Sequence, residues 1–194
     1  MKRIALICGI SGQDGAYLAR LLLDKGYKVC GTSRNAQALP FHNLAYLGIR
    51  DQVETVSMSL VDYRDVQQVF MKVQPDEVYN LAGQSSVGIS FEQPVETIES
   101  IVLGTLNLLE AVRATDKPAK LYNACSSECF GDMGGEIATE SSPFRPRSPY
   151  AVAKAAAFWE LASYREAYGL YASSGILFNH ESPLRPERFV TRKI

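Results

Sequence analysis

Six short apolar runs, at residues 3–8, 28–32, 53–57, 77–81, 120–125 and 171–177, recur along this chain and are separated by stretches of helical period. Each run is rich in Val, Ile, Leu, Tyr and Ala and is bounded by polar residues, so it reads as a strand buried on both faces. The segments between them, 15–25, 63–73, about 95–114 and 150–168, carry apolar residues at helical spacing, and Asp62 stands as an N-cap before the second. Strand and helix therefore alternate, which leaves few architectures open. The expectation is an α/β fold with a doubly wound parallel sheet, whose ligands lie outside the C-terminal ends of its strands.

With 194 residues, 46% of them hydrophobic, the chain can bury one substantial core, and a single domain over 1–194 is expected. The formal net charge is −1 with charges of both signs scattered, so neither nucleic acid nor a membrane surface is an expected partner. No apolar run approaches the ~20 residues of a membrane span, and Met1-Lys2-Arg3-Ile4 runs into the first strand without a signal-peptide core. The expected location is the cytoplasm. Cys8, Cys30, Cys125 and Cys129 have neither zinc-knuckle nor redox-pair spacing and read as reduced thiols. His42 and His180, the only histidines, each lack a nearby Cys or second His, so no metal is expected. The irregular stretch 132–147, with Gly134, Gly135, Pro143 and Pro146, leads into Tyr150 and can shape the mouth of a site or be a plain surface loop.

Cys8 closes the first strand, and Gly9-Ile10-Ser11-Gly12-Gln13-Asp14-Gly15 turns from it into a helix. Glycines at such a joint let backbone approach a pyrophosphate while helix N–H groups point at it, although a Gly-rich turn can also be an ordinary tight turn. After the second strand, the place for an acidic residue that would hold a free ribose hydroxyl carries Thr32-Ser33-Arg34. A hydroxyl pair and a cation suit a 2′-phosphate, so NADP is expected over NAD; the plainer reading of Arg34 is a solvated surface cation. Leu81-Ala82-Gly83-Gln84-Ser85 ends the fourth strand with small residues, as a cofactor ribose lying on the backbone, or simple packing, would require.

Tyr150 and Lys154 stand four apart on the last long helix and so share a face. The ammonium can favour the phenolate of Tyr150 and make it a base near neutral pH, where an unassisted tyrosine titrates near ~10. Ser126, Ser127 and Glu128 follow the fifth strand directly and are expected to face the same crevice. A hydroxyl there can hydrogen-bond the substrate oxygen that Tyr150 deprotonates, and a carboxylate adds a second acid/base, more than a simple alcohol oxidation needs. Glu128 thus separates mechanisms, unless it is only a helix-start carboxylate facing water.

These residues resemble the extended short-chain dehydrogenase/reductase family in its nucleotide-sugar branch, most closely the GDP-mannose 4,6-dehydratases. The resemblance rests on Gly9 to Gly15, on Tyr79-Asn80-Leu81-Ala82-Gly83-Gln84-Ser85, and on Pro146-Arg147-Ser148-Pro149-Tyr150-Ala151-Val152-Ala153-Lys154. It rests further on Leu177-Phe178-Asn179-His180-Glu181-Ser182-Pro183 with Phe189-Val190-Thr191-Arg192-Lys193. The Gly-rich turn and the Tyr-Lys pair are common to the broad family; Gln13-Asp14 and Asn179 to Pro183 are more particular to these dehydratases.

The resemblance implies a Rossmann-type NAD(P)-binding fold and a lyase that converts GDP-D-mannose to GDP-4-dehydro-6-deoxy-D-mannose plus water, with tightly held NADP as an internal hydride shuttle. Catalytic roles fall by position on Ser126, Glu128, Tyr150 and Lys154. Cofactor contacts fall on Gly9, Ile10, Ser11, Gly12, Gln13, Asp14, Arg34, Leu60, Leu81, Ala82, Gly83, Gln84, Ser85, Lys154, His180 and Arg185, and substrate contacts on Ser85, Asn179 and Lys193. Three positions depart from the family pattern: Ser59 for an Asp, Asn35 for an Arg and Glu96 for a cofactor-contacting Tyr. The family is longer, its C-terminal portion holds most of the sugar-nucleotide pocket and lies outside this chain, and it forms dimers or tetramers, so a homo-oligomer is expected by resemblance. The rival readings are a GDP-sugar reductase or epimerase, for which Glu128 is incidental, and a nucleotide-sensing protein without catalysis.

Overall fold

The computed structural model describes residues 2–186. In chain order its elements are β1 (Ile4–Cys8), α1 (Gln13–Asp24), β2 (Lys28–Ser33), α2 (His42–Tyr46), β3 (Glu54–Ser57), α3 (Tyr63–Val73), β4 (Glu77–Asn80), α4 (Val87–Glu92), α5 (Pro94–Ile98), α6 (Gly104–Ala114), β5 (Lys120–Ser126), α7 (Pro149–Tyr168) and β6 (Ala172–Leu177). The six strands form one sheet in the order β3-β2-β1-β4-β5-β6. Every neighbouring pair is parallel. The chain runs outward from β1 through β2 to β3, then returns to β4 beside β1 and continues to β6. That reversal opens a crevice at the C-terminal ends of β1 and β4, where open sheets of this kind take their ligands.

Alternate residues of each central strand feed opposite faces of the sheet. Leu6 and Cys8 pack with Val66, Phe70, Leu108, Leu109 and Leu161, which places α3, α6 and α7 on one face. Ala5 and Ile7 pack with Ile10, Ala16, Ala19 and Leu22, which places α1 on the other. The helix ends follow local chemistry. Asp62 caps α3 by accepting from the backbone N–H groups of Arg64 (2.9 Å) and Asp65 (3.3 Å). Ser148 caps α7 through Ala151 N–H (3.1 Å), Pro149 fills the first helical position, and Gly169 ends the helix at φ +65°.

The helix expected over 95–114 begins at Pro94 and is interrupted by a π turn at Glu99–Leu103. This turn abuts the backbone after β4: a Cβ on Gly83 would stand 3.0 Å from Ile101, and Gln84 N–H reaches Ser100 Oγ at 3.5 Å. Two short helices, α2 and α4, have no counterpart in the sequence reading. Five and six residues are less than two helical turns, too few to display a period. Among the described residues, no helix is long and apolar enough to cross a membrane.

Candidate active site

The Gly-rich turn is shaped by its neighbours. Gly9 sits at φ +85°, and a Cβ there would stand 2.8 Å from Leu81 O and 2.9 Å from Ala82 N, so β1 and β4 approach as only a glycine allows. Gly12 N–H bonds back to Gly9 O (3.1 Å), and Gly12 serves as N-cap of α1 without a side-chain acceptor for the helix's first N–H groups. The twelve-residue α1 thus aims unsatisfied donors and the positive end of its dipole at the β1/β4 crevice, a surface suited to a pyrophosphate. The donor set and the close backbone fit a dinucleotide.

The segment after β6 folds over this turn. Ser182 Oγ donates to Gln13 Oε1 (2.8 Å), Gln13 Nε2 to His180 O (3.3 Å), and His180 Nε2 meets Asp14 Oδ1 at 2.7 Å. The other ring nitrogen of His180 lies 2.8 Å from Phe178 O. Acceptors at both nitrogens favour the imidazolium and raise the pKa of His180, Phe178 O contributing most and Asp14 next. Arg185 pairs with Glu181 (3.4 Å), Leu184 is buried under α1, and Asn179 is exposed just after β6. Lys193 and the run 189–193 lie outside the described residues.

On the β4 side, Asn80 and Asn123 face each other across β4 and β5, with Asn80 Nδ2 donating to Asn123 Oδ1 at 2.8 Å. Asn80 Oδ1 in turn accepts from Ala82 N–H (3.3 Å), which fixes the path of Leu81 to Gly83. The Gln84 side chain folds back on its own loop, donating to Ser86 O (2.8 Å) and Thr97 Oγ1 (3.3 Å), and Ser85 is exposed beside it. Leu60 follows β3 and accepts from Asn107 Nδ2 through its carbonyl (2.7 Å); neighbouring Ser59 N–H donates to Asp65 (2.6 Å). Arg34 is exposed just beyond β2 and pairs with Glu96 on α5 at 3.2 Å, while Asn35 Oδ1 caps the turn through Ala38 N–H.

The expected reactive residues gather at the end of β5. Ser126 is its last residue and is buried; its Oγ accepts from Glu128 N–H (3.3 Å) and lies near enough to the Tyr150 phenol to influence it. Glu128 is exposed and, with Ser127, Asp132, Met133, Arg147 and Phe178, lines an open cleft of about 510 Å³. Residues of loop 132–147 thus line the cleft on which Glu128 opens. Tyr150 and Lys154 are both buried: Tyr150 packs with Ile101, Val87 and Val102, and Lys154 reaches Ala124 of β5.

The expected electrostatics of the Tyr-Lys pair differ from those observed. Burial pushes the Tyr150 phenol above its ordinary value, the Ser126 hydroxyl only partly opposing it. Burial likewise pushes Lys154 down, and its Nζ donates to Ala124 O (2.7 Å), 5.8 Å from the centre of the Tyr150 ring. The ammonium is committed to Ala124 O at the end of β5, and burial is the largest influence on the phenol. The sequence reading also passed over Cys125 and Cys129. Their sulfurs lie 3.6 Å apart beneath α7, because the β5 end turns straight into a short 3-10 helix at Ser127–Phe130. All four cysteines are buried and unbridged. Of the other residues near the site, Ser148 is signalled by preceding Pro149 and Glu96 by its departure from the family pattern, whereas Thr97 and Ser100 carried no local signal.

A six-stranded parallel sheet with helices on both faces, a Gly-rich β1–α1 turn and a Tyr-x-x-x-Lys helix beside the end of β5 together define a Rossmann-type protein of the extended short-chain dehydrogenase/reductase class. Within that class, the chain belongs to the GDP-mannose 4,6-dehydratase family, whose model matches residues 6–194. It is 47% identical over its whole length to a GDP-mannose 4,6-dehydratase of Vibrio cholerae, of which it covers 54%, and 46% identical to GDP-mannose 4,6 dehydratase 1 of Arabidopsis thaliana, of which it covers 56%. The chain thus spans about half the length of these curated relatives. Among solved structures it is similar to a Thermus thermophilus UDP-glucose 4-epimerase in complex with NAD, at TM-score 0.78 and 34% identity, over 88% of this chain and 53% of that one. A dTDP-glucose 4,6-dehydratase from Streptomyces venezuelae with NAD bound shares the fold at TM-score 0.87 and 23% identity, over 98% of this chain and 60% of that one.

Proposed function

We propose that the chain is the dinucleotide-binding domain, over residues 1–194, of a dehydratase that converts GDP-D-mannose to GDP-4-dehydro-6-deoxy-D-mannose and water, and that its cofactor is NADP. The observation that carries this reading is a second acid/base beside the first set: Glu128, whose N–H bonds Ser126 Oγ at 3.3 Å, lines a cleft just past the end of β5, in a chain whose family is the GDP-mannose dehydratases. A nicotinamide nucleotide held at the β1–α1 turn would supply reversible hydride chemistry between C4 and C6 of the sugar, so no external reductant would be consumed.

Tyr150 removes the proton of the C4 hydroxyl, and the neighbouring Ser126 hydroxyl, which favours the phenolate, holds that oxygen in line. Lys154 anchors the end of β5 through Ala124 O and adds positive charge near the phenolate as it forms. The C4 ketone then acidifies C5, Glu128 removes the C5 proton and passes it to the departing C6 hydroxyl, which leaves as water, and a proton returned to C5 as hydride is restored to C6 balances the one taken by Tyr150. Gly9, Ile10, Ser11 and Gly12 with the first turn of α1 hold the pyrophosphate, Leu60 and Leu81 to Ser85 line the nucleoside, and Gln13, Asp14, His180 and Arg185 close that end. Ser85, Asn179 and Lys193 are assigned to the sugar nucleotide. Arg34 is assigned to the 2′-phosphate that distinguishes NADP.

A reductase or epimerase needs the Tyr-Lys pair but not Glu128. We also assign a homo-oligomer, supported by exposed Val95, Ile98 and Leu103 on the α5–α6 helix and Val152 and Trp159 on α7, and a cytoplasmic site, supported by four unbridged thiols. The test is to incubate the protein with GDP-mannose and catalytic NADP and follow the sugar nucleotide by mass spectrometry and NMR. Loss of one water with a C4 ketone and a C6 methyl, without net NADPH, is expected. Glu128→Gln should lower turnover by about 10²–10⁴-fold while C4 oxidation persists. Equal turnover by Glu128→Gln refutes the role of Glu128, and a product that retains its C6 hydroxyl refutes the dehydratase.

A further inference from the structure

The nucleoside end of the crevice carries an ion pair that the proposed cofactor chemistry does not use. Residues 34–41, which follow β2, contain no Asp or Glu. A carboxylate nonetheless reaches this place from across the crevice, because Glu96 in the first turn of α5 meets Arg34 at 3.2 Å. The two side chains are 62 positions apart and come together through the return of the chain from β3 to β4. At 84% exposure for Arg34 and 51% for Glu96, both remain open to a ligand from solvent.

We propose that Glu96 is a cofactor-selectivity residue: by occupying the Arg34 guanidinium and presenting negative charge beside it, Glu96 weakens binding of nucleotides that carry a 2′-phosphate and leaves those with a free 2′-hydroxyl unaffected. This rests on the assignment of Arg34 to the 2′-phosphate. A guanidinium offers five donors in a planar fork, so Arg34 can reach a phosphate only by sharing or releasing Glu96. The incoming phosphate also meets like charge from the carboxylate. A nucleotide without that phosphate disturbs neither partner. The pair is solvent-exposed, so releasing it changes affinity by at most about fivefold, and salt diminishes the effect. Glu96 therefore narrows the gap between NADP and NAD rather than reversing it.

The experiment is calorimetric titration of the protein, and of Glu96→Gln and Arg34→Ala, with NADP, NAD, adenosine 2′,5′-bisphosphate and AMP, circular dichroism confirming that each variant is folded. Glu96→Gln should tighten NADP and the bisphosphate about fivefold near 50 mM salt, change NAD and AMP by less than about twofold, and lose most of the gain near 1 M salt. If Arg34→Ala weakens the 2′-phosphorylated ligands selectively while Glu96→Gln alters nothing, Glu96 has no such role and the assignment of Arg34 stands. If Arg34→Ala leaves NADP and NAD unchanged, the 2′-phosphate assignment itself is wrong. Absence of binding by all four nucleotides overturns both.

Discussion

Gly12 and Gly15 stand three residues apart in the same turn, yet the structure gives them different work, and Ala substitutions separate the two. A Cβ on Gly15 would collide with Gly9 O and stand 2.8 Å from the Ile10 Cα, both backbone atoms that cannot swing aside. A Cβ on Gly12 would have a single neighbour, Gly9 O at 3.4 Å, an ordinary contact, and Gly12 has φ −73°, which any residue adopts. Overpacking of the first kind costs roughly 1–3 kcal/mol, and replacing Gly by Ala inside a helix returns up to about 1 kcal/mol. Gly15→Ala should therefore lose about 1–2 kcal/mol net, a fall in Tm of about 2–8 °C for a chain of this size. Gly12→Ala should melt within about 2 °C of the parent, yet bind dinucleotide at least about tenfold more weakly, because its methyl group enters the space the pyrophosphate needs. Thermal melting by circular dichroism with calorimetric titration of NADP reads both quantities. Equal destabilisation by the two substitutions, or a Gly12→Ala protein that binds NADP normally, would refute this division of roles.

Asn80→Ala leaves the buried Asn123 Oδ1 without its donor and frees Ala82 N–H, so unfolding should become easier by about 1–3 kcal/mol in urea titrations. Asp62→Ala removes the acceptor of two N–H groups and should cost about 1 kcal/mol, lowering Tm by about 2–4 °C. His180 has a raised pKa in the fold, so the contact it makes is fully present below about 6.5 and is lost as pH rises through the folded value. An NMR titration of the imidazole should accordingly give a midpoint above about 6.5, and Asp14→Asn should bring it only part of the way down, since Phe178 O contributes most.

Most of the scaffold was legible because its signals are local. All six strands fall where apolar runs lie between polar residues, and α3 spans the residues its period and Asp62 cap indicate. Errors cluster where a neighbour in space decides. Leu81 leaves the ladder although its side chain suits a strand, because the backbone must turn over Gly9, whose N-terminal neighbour Cys8 accepts Leu81 N–H at 3.0 Å. The π turn at Glu99–Leu103 follows from no residue preference; there the helix passes the loop at Gly83 and Gln84.

The site divides in the same way, and the division explains which inferences from sequence were sound. Residue type and position after a strand were enough to bring Ser126, Glu128, Tyr150 and Lys154 to one end of the sheet, because a parallel sheet puts every strand-to-helix joint at that end. The direction in which each pKa moves was not recoverable from spacing. Tyr150 and Lys154 are four apart, as expected, but burial governs both, and burial depends on β5 and on the π turn, which are distant in sequence. Likewise the spacing of Cys125 and Cys129 matches no redox motif, yet the turn after β5 brings their sulfurs together. Arg34 shows the largest gap between the two views, since its immediate sequence context offers only hydroxyls and an amide while its partner in space is a carboxylate. The charge presented at this place is therefore the sum of a residue after β2 and one on α5, and cannot be read from the residues after β2 alone.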